Sequence, residues 1–527
     1  MNLDVREQIG SRLMLAFEGL KPPPRILNWI KERQPAGFTL FRAKNVANPA
    51  QLRSLTGTLQ SAAAEAGHFP LLIAADQEGG QFIALGEGTT QFPGNMALGA
   101  TEDSELARHV GQAMGREMAA LGVNVNYAPD CDVNTNPDNP NVGIRAFGDD
   151  PELVAEMGTA MIEGLQSARV AATAKHFPGN GDSGIDPHYG VPVLPHDLQR
   201  LEAVEFWPFQ AAVQAGVRLM MTAHVGLPAL TGRSDIPATL SDRVMKDHLR
   251  DRLGFQGLLI TDALDMEAIT QGAGQIVDVI TALRAGVDLL LLTGDAEVQE
   301  RIYAGLQLAY ARGLVRDRDL AASARRLLVL KEWLAGQEKP DLDVIGCQEH
   351  QRLSETVANK AITLVRDEAS LLPLRLRPET HIMAIMPRPA DLTPADTSSA
   401  LEPALAPALR LYHPNVTEIV VPQRPSPADI ADLRNQASVS DLLVIGTISA
   451  HLQLEQAEMV NALLSLDIPA VTVAMRTPYD LAVYPRSKTH VCTYSIQLMV
   501  MKALAAALWG AIPFRGRLPV KLPAGLI

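Results

Sequence analysis

Cysteine is scarce in this 527-residue chain: Cys131, Cys347 and Cys492 lie far apart and form no CxxC pair, which speaks against a disulfide scaffold and a thiolate zinc site. Positive charge is also in deficit. The 46 Lys and Arg face 59 Asp and Glu, a formal net charge of -13, whereas a nucleic-acid partner needs a surface of the opposite sign. Long apolar runs are missing: LMLAF and VDLLLL fall far short of the ~20 residues that span a bilayer and read as buried strands. The opening MNLDVREQIGSRLMLAF has no basic segment, long apolar stretch and small-residue cleavage site in succession. The expectation is a protein of a reducing, cytoplasmic compartment with no membrane and no nucleic acid among its partners.

Apolar residues are plentiful, 47% of the chain, and 527 residues exceed one ordinary core, so two folded domains are expected. Up to about residue 330 one unit recurs: a short apolar run, a segment rich in Gly, Asn, Asp and Pro, then an amphipathic stretch. The runs are Leu13–Phe17, Phe38–Phe41, Leu71–Ala75, Asn124–Ala128, Val170–Ala174, Arg218–Thr222, Gly257–Thr261 and Val287–Leu292. Their continuous apolar character suits parallel strands covered by helices. Asn48-Pro49 and Asp150-Pro151 mark helix starts, Ser241 caps a third helix and Gly254 stops it. Eight such units predict an α/β fold of the (β/α)8 TIM-barrel type over residues 1–335, without the Gly-rich turn of a dinucleotide-binding sheet. An acidic, Pro-containing linker follows at 336–350. Residues 351–527 read as a smaller α/β sandwich: a helix bearing Val357, Ala361 and Leu364, then the strands HIMAIM, DLLVIG, AVTVAM and HVCTYS. Pro387 to Pro407 reads as a loop.

Barrel active sites form at the carboxyl ends of the strands, and polar residues stand there: Asp76, Lys175 with His176, His224 and Asp262. Asp262, directly after GLLIT, has the chemistry of a nucleophile at an anomeric carbon; its ordinary alternative is a cap for the next helix, and Asp265 and Glu267 are nearby rivals. In the Gly- and Pro-rich loop 175–192, Asp186 and His188 are two residues apart, so the carboxylate can orient an imidazole for proton transfer or only brace the loop. Lys175 and His176 suit sugar hydroxyls or pairing with Asp132 or another barrel carboxylate. Asp76 accepts hydrogen bonds from neighbouring hydroxyls, Arg145 offers a donor fork, and Asp132 is positioned to orient Lys175 or Arg145. A structural ion pair is the alternative for each. His224 reads as core or support.

Together the segments DQEGG at 76–80, NYAPDCDVNTNP at 126–137, GIRAFGDDPE at 143–152, KHFPGNGDSGIDPH at 175–188, MTAHV at 221–225 and GLLITDALDM at 257–266 resemble glycoside hydrolase family 3, in its β-N-acetylglucosaminidase branch. The resemblance implies retaining hydrolysis of a terminal β-linked N-acetylglucosaminyl oligosaccharide or muropeptide, without metal or cofactor. It implies Asp262 as nucleophile, His188 with Asp186 as acid/base dyad, and Asp76, Arg145, Lys175 and His176 as substrate-binding groups; the support expected of Asp132 and His224 comes from the residue reading above and not from the resemblance. Many β-glucosidases of the family take a Glu acid/base from the second domain. A dyad inside the barrel implies that the second domain here supports and does not catalyse. The tail GRLPVKLP at 516–523 also resembles that domain's end.

The chain departs from the branch pattern DQEGGRVxR: Gln81 and Ala84 stand at its arginines. Asn180 stands where His is frequent, and Pro187 where Ser or Thr is frequent. Four rival readings remain at this stage: a β-glucosidase or β-xylosidase; a phosphorylase using phosphate in place of water as acceptor; a metal-dependent hydrolase using His176, Asp186, His188, His224 and Asp262; and an inactive carbohydrate-binding protein.

Overall fold

The computed structural model describes residues 5–86, 88–184, 190–336, 339–393 and 396–523. All eight apolar runs supply strands: β1 Leu13–Leu15, β2 Gly37–Thr39, β3 Leu72–Ala75, β4 Val125–Asn126, β5 Ala171–Phe177, β6 Leu219–Thr222, β7 Leu258–Thr261 and β8 Leu290–Leu292. They pair in parallel in the order β8-β1-β2-β3-β4-β5-β6-β7, and a parallel bridge between Ile260 and Leu289 closes the ring. This is the expected TIM-type barrel. Its strands are apolar on both sides for a physical reason: alternate residues meet different partners. Leu72 and Ala74, Leu219 and Met221, Leu258 and Ile260 pack inside with Met14, Val125 and Leu291. Ile73, Met220 and Leu259 face the other way, into the core beneath the outer helices.

The cap signals work as read at two helices. Asn48 accepts from the Gln51 amide at 2.9 Å at the head of α1, Pro49–Glu65, and Asp150 from the Glu152 amide at 3.0 Å at the head of α2, Pro151–Ser167. The third differs. Residues Arg243–Arg252 form α3, a wide helix of the π type, with Asp242 and not Ser241 at its cap position and no side chain capping it. Gly254, at φ +76°, ends the turn that follows. Helix α4, Asp317–Leu334, places Leu327, Leu330 and Leu334 in the same cluster as the inward strand residues. It closes the amino-terminal end of the barrel, and each such leucine contributes ~1.5–3 kcal/mol by burial.

Beyond α5, Gln348–Ala361, a six-stranded sheet forms from β9 Thr363–Asp367, β10 Ile382–Pro387, β11 Val416–Val421, β12 Leu442–Thr447, β13 Ala470–Ala474 and β14 Thr489–Cys492. The order is β9-β14-β13-β12-β10-β11, parallel except for the β9–β14 pair. Apolar clusters with α6, Leu454–Leu464, on one side and α7, Leu498–Leu508, on the other make it the expected sandwich. Leu364 is a correction: it lies on β9, since Thr363 pairs with Cys492 and Leu364 with Val491, and Ile362-Thr363 are β-branched residues that favour extended backbone. Edge strand β11 escaped the sequence reading because Thr417 and Glu418 interrupt its apolar run.

Candidate active site

Period two continued past the ends of β3 and β7, and along β5, defines the mouth. Asp76 follows the inward Leu72 and Ala74, Lys175 is two places beyond Thr173 on β5, and Asp262 follows the inward Leu258 and Ile260. The Tyr127 hydroxyl, inside the barrel and 3.0 Å from the Thr39 hydroxyl, is driven upward in pKa by burial and then by the Asp76 and Asp262 carboxylates. Carboxyl groups from β3 and β7 therefore act on one interior point.

The first set of contacts centres on Glu78, which sequence reasoning missed. Arg145 grips it through two bonds, Nε to Oε2 at 3.0 Å and a terminal nitrogen to Oε1 at 2.8 Å, and Lys175 Nζ lies 2.6 Å from Oε1. Lys175 also donates to Asp76 at 2.7 Å. Burial pushes the Glu78 carboxyl up, but Arg145 and Lys175 overcome it and hold it at about 2. The signal was present in Asp-Gln-Glu-Gly-Gly. Residues Gln77–Gly79 and Phe82–Ile83 form a small ribbon, and Gly80, at φ +63°, lies where an added Cβ would stand 3.1 Å from the Pro93 carbonyl oxygen.

The second set centres on His176. Asp132 does not orient Lys175 or Arg145: its Oδ2 is 2.8 Å from His176 Nδ1, and its Oδ1 accepts from the Asn180 amide at 2.7 Å. Burial lowers the His176 pKa, and Asp132 more than reverses this, so the ring is drawn toward the imidazolium. Asp130, also missed, accepts from the Asp132 amide at 2.9 Å and stands 3.7 Å from Arg145 Nε. Burial and then Asp132 push it up to about 7 against Arg145 and His176. Asp130, Asp132 and His176 bring donor atoms within 4.8 Å of one another. Both Asp132 oxygens are already committed to His176 and to backbone amides, so the geometry reads as a hydrogen-bonded relay. Among the described residues His224 and Asp262 do not join this group.

Asp262 is half-buried and accepts from its neighbour's amide, Ala263, at 2.8 Å. Burial pushes its carboxyl up, but His176, His224, the Ala263 amide and Lys175 bring it below the usual range. It is an ionised carboxylate at neutral pH. His224 is fully buried beneath it, Nε2 3.2 Å from the Ala263 carbonyl and Nδ1 2.8 Å from the Thr239 hydroxyl, and burial lowers its pKa. The rivals Asp265 and Glu267 are exposed.

Asp186, Pro187 and His188 lie outside the described residues. The stem that leads to them is fixed to the mouth. Asn139 donates to the carbonyls of Asn180 at 2.7 Å and Gly181 at 3.1 Å, Thr135 donates to Asp182 at 3.0 Å, and His196 pairs with Asp182. Of the two lost arginine positions, Ala84 is packed in the barrel core and Gln81 is buried.

The second domain braces the same loops. Thr397 donates to the Gln81 carbonyl through its amide, 2.9 Å, and its hydroxyl, 2.8 Å. Gln497 donates to the Gly80 carbonyl at 2.5 Å, and Asn134 to the Tyr479 hydroxyl at 2.9 Å.

A barrel whose mouth joins an ionised aspartate to a lattice of Asp, Arg, Lys and His is equipped to hold a polyhydroxylated ring, and known proteins place it. A beta-hexosaminidase A of Pseudoalteromonas piscicida is 36% identical over 414 residues, 71% of this chain and 69% of that protein. A beta-N-acetylglucosaminidase/beta-glucosidase of Cellulomonas fimi is 28% identical over 522 residues, 94% of this chain and 90% of that protein. The structure of a glycoside hydrolase family 3 beta-N-acetylglucosaminidase from Paenibacillus sp. str. FPU-7 superposes with a TM-score of 0.93 at 35% identity, covering 98% of this chain and 99% of that one. With residues 4–330 matching the glycosyl hydrolase family 3 N-terminal domain, the chain belongs to glycosyl hydrolase family 3.

Proposed function

We propose that this chain is a retaining β-N-acetylhexosaminidase that releases terminal β-linked N-acetylglucosamine by double displacement. The observation that carries the reading is the depressed, ionised Asp262 at the end of β7, sharing one mouth with Asp76, Arg145, Lys175 and His176. Asp262 attacks the anomeric carbon and forms a glycosyl-enzyme ester; His188, oriented by Asp186, gives its proton to the departing oxygen and then takes one from water, whose attack restores the β configuration. Asp76, Arg145, Lys175 and His176 bind the sugar, Asp132 sets the His176 ring and His224 supports Asp262. No step calls on a metal or a cofactor.

In this reading residues 1–335 hold the catalytic groups, 336–350 connect, and 351–527 brace the mouth. The substrate is an N-acetylglucosaminyl oligosaccharide or muropeptide met in the cytoplasm. No helix among the described residues is long and apolar enough to cross a membrane. A product-resolved assay over N-acetylglucosaminyl, glucosyl and xylosyl aryl β-glycosides, with and without phosphate, tests the assignment. Fastest release from the N-acetylglucosaminide, with free sugar as product in both buffers, is expected. Preference for the glucoside or xyloside overturns the specificity, sugar 1-phosphate overturns water as acceptor, and binding without turnover overturns the enzyme.

A further inference from the structure

After β5 the chain runs out through Gly179–Ser183, carries Asp186 and His188 in its sequence, and returns through Pro192–His196. The two limbs are held by different parts of the barrel. The outgoing limb lies against the segment that follows β4: besides the Asn139 and Thr135 bonds, Asn136 donates to the Ser183 carbonyl at 3.3 Å. The returning limb lies against the segment that follows β6. Val193 pairs with Gly226, the Leu194 amide donates to the Gly226 carbonyl at 3.0 Å, and the Gly226 amide to the Pro192 carbonyl at 2.7 Å.

A side-chain pair joins the limbs directly. His196 Nε2 meets Asp182 Oδ2, 14 positions earlier in the chain, while Asp182 Oδ1 accepts from the Thr135 hydroxyl at 3.0 Å. The His196 end is fixed by its neighbour: Asp197 caps the helix Leu198–Ala203, accepting from the Arg200 amide at 2.8 Å. Beside the pair, Glu205 is 2% exposed and lies 3.2 Å from Arg200. Burial pushes its carboxyl up against the pull of Arg200 and His196. At Gly179, φ +123°, an added Cβ would stand 3.0 Å from the Glu205 Cβ, so this acid packs directly against the outgoing limb.

We infer that His196 is a positioning residue for proton transfer: through Asp182 it ties together the two limbs between which the chain carries the acid/base pair. The inference rests on the Asp186–His188 reading above. A loop tied at its base gives up conformational freedom before the substrate arrives, and proton transfer to a departing oxygen is sensitive to a misplacement of about 1 Å. In this account Asp182 and His196 touch neither the sugar nor the reacting atoms. Their loss therefore falls on the step that needs a proton and spares the attack by Asp262.

The test compares wild type, His196→Ala, His196→Gln and His188→Ala on two substrates: dinitrophenyl β-N-acetylglucosaminide, which needs little protonation, and diacetylchitobiose, which needs much. His196→Ala is expected to lower kcat on the disaccharide about tenfold with little change in KM, and on the dinitrophenyl glycoside less than about twofold. His196→Gln, which keeps a donor toward Asp182, recovers most of the loss. Equal losses on both substrates, a loss confined to KM, or no recovery in His196→Gln overturns the inference. His188→Ala separates the two levels of the account. Leaving-group dependence in His188→Ala without any in His196→Ala overturns the positioning role alone, whereas none in His188→Ala overturns the acid/base reading and this inference with it. Should His196→Ala fail to fold, Asp182→Ala decides by the same criterion: a selective loss on the disaccharide supports the role, and an equal loss on both overturns it.

Discussion

Charge at the mouth is arranged so that neighbouring acids behave differently. Glu78 is held near 2 by two cations, Asp262 sits below the usual range, and Asp130 is pushed up to about 7. Glu78→Gln leaves Arg145 and Lys175 without the carboxylate both grip, a loss on the order of 3–5 kcal/mol for a broken buried ion pair. Denaturant unfolding measures it, and a loss under 1 kcal/mol would show that the lattice does not hold the mouth together. For Asp130 the sign runs the other way. Its folded pKa is raised from 3.8 to about 7, so the folded state binds more protons than the unfolded state between those values and loses stability as pH climbs through them. Asp130→Asn removes that loss. The stability of the variant relative to wild type is expected to rise from pH 4 to pH 7 and then level off; a flat difference contradicts the raised carboxyl. Asp76, Lys175, His176 and Asp262 were legible because each ends an apolar run. Glu78 stood in the Asp-Gln-Glu-Gly-Gly segment but, like Asp130, showed no role of its own there, since the importance of each depends on which distant cation the closed barrel brings to it.

At the level of elements, the strands were legible because being buried on both faces makes them short and apolar, and two caps because Asn-Pro and Asp-Pro have a local mechanism. Leu364 was misplaced because its partner Val491 lies 127 positions away. Thr397 was invisible within a Pro/Ala/Asp-rich loop, although it bonds Gln81 twice and accepts from the Ile83 amide at 3.2 Å. Thr397→Val keeps the shape and removes both hydroxyl bonds, so the Gln81–Ile83 segment is held by the Thr397 amide alone. A fall in kcat/KM of about tenfold, with little change in Tm, is expected from misplacement of this size; unchanged kinetics would make the contact purely structural. The loop 175–192 has its own prediction. His188→Ala should slow substrates with poor leaving groups ~10²-fold or more and activated aryl glycosides far less. Equal losses on both rule out acid catalysis by this residue.

Across the whole molecule the barrel has two ends with different work. The carboxyl end gathers acids and donors from several strands and takes bracing contacts from the second domain through Thr397, Gln497 and Tyr479. The amino end is shut by α4, where Arg250 and Arg326 meet the buried Asp288 carboxylate. The central claim is that one carboxylate, Asp262, carries the sugar covalently. A mechanism-based fluorinated β-N-acetylglucosaminide, followed by peptide mass analysis of the trapped enzyme, tests it most directly. The label is expected on the peptide containing Asp262; a label on another residue, or rapid turnover with no trapped ester, contradicts the account.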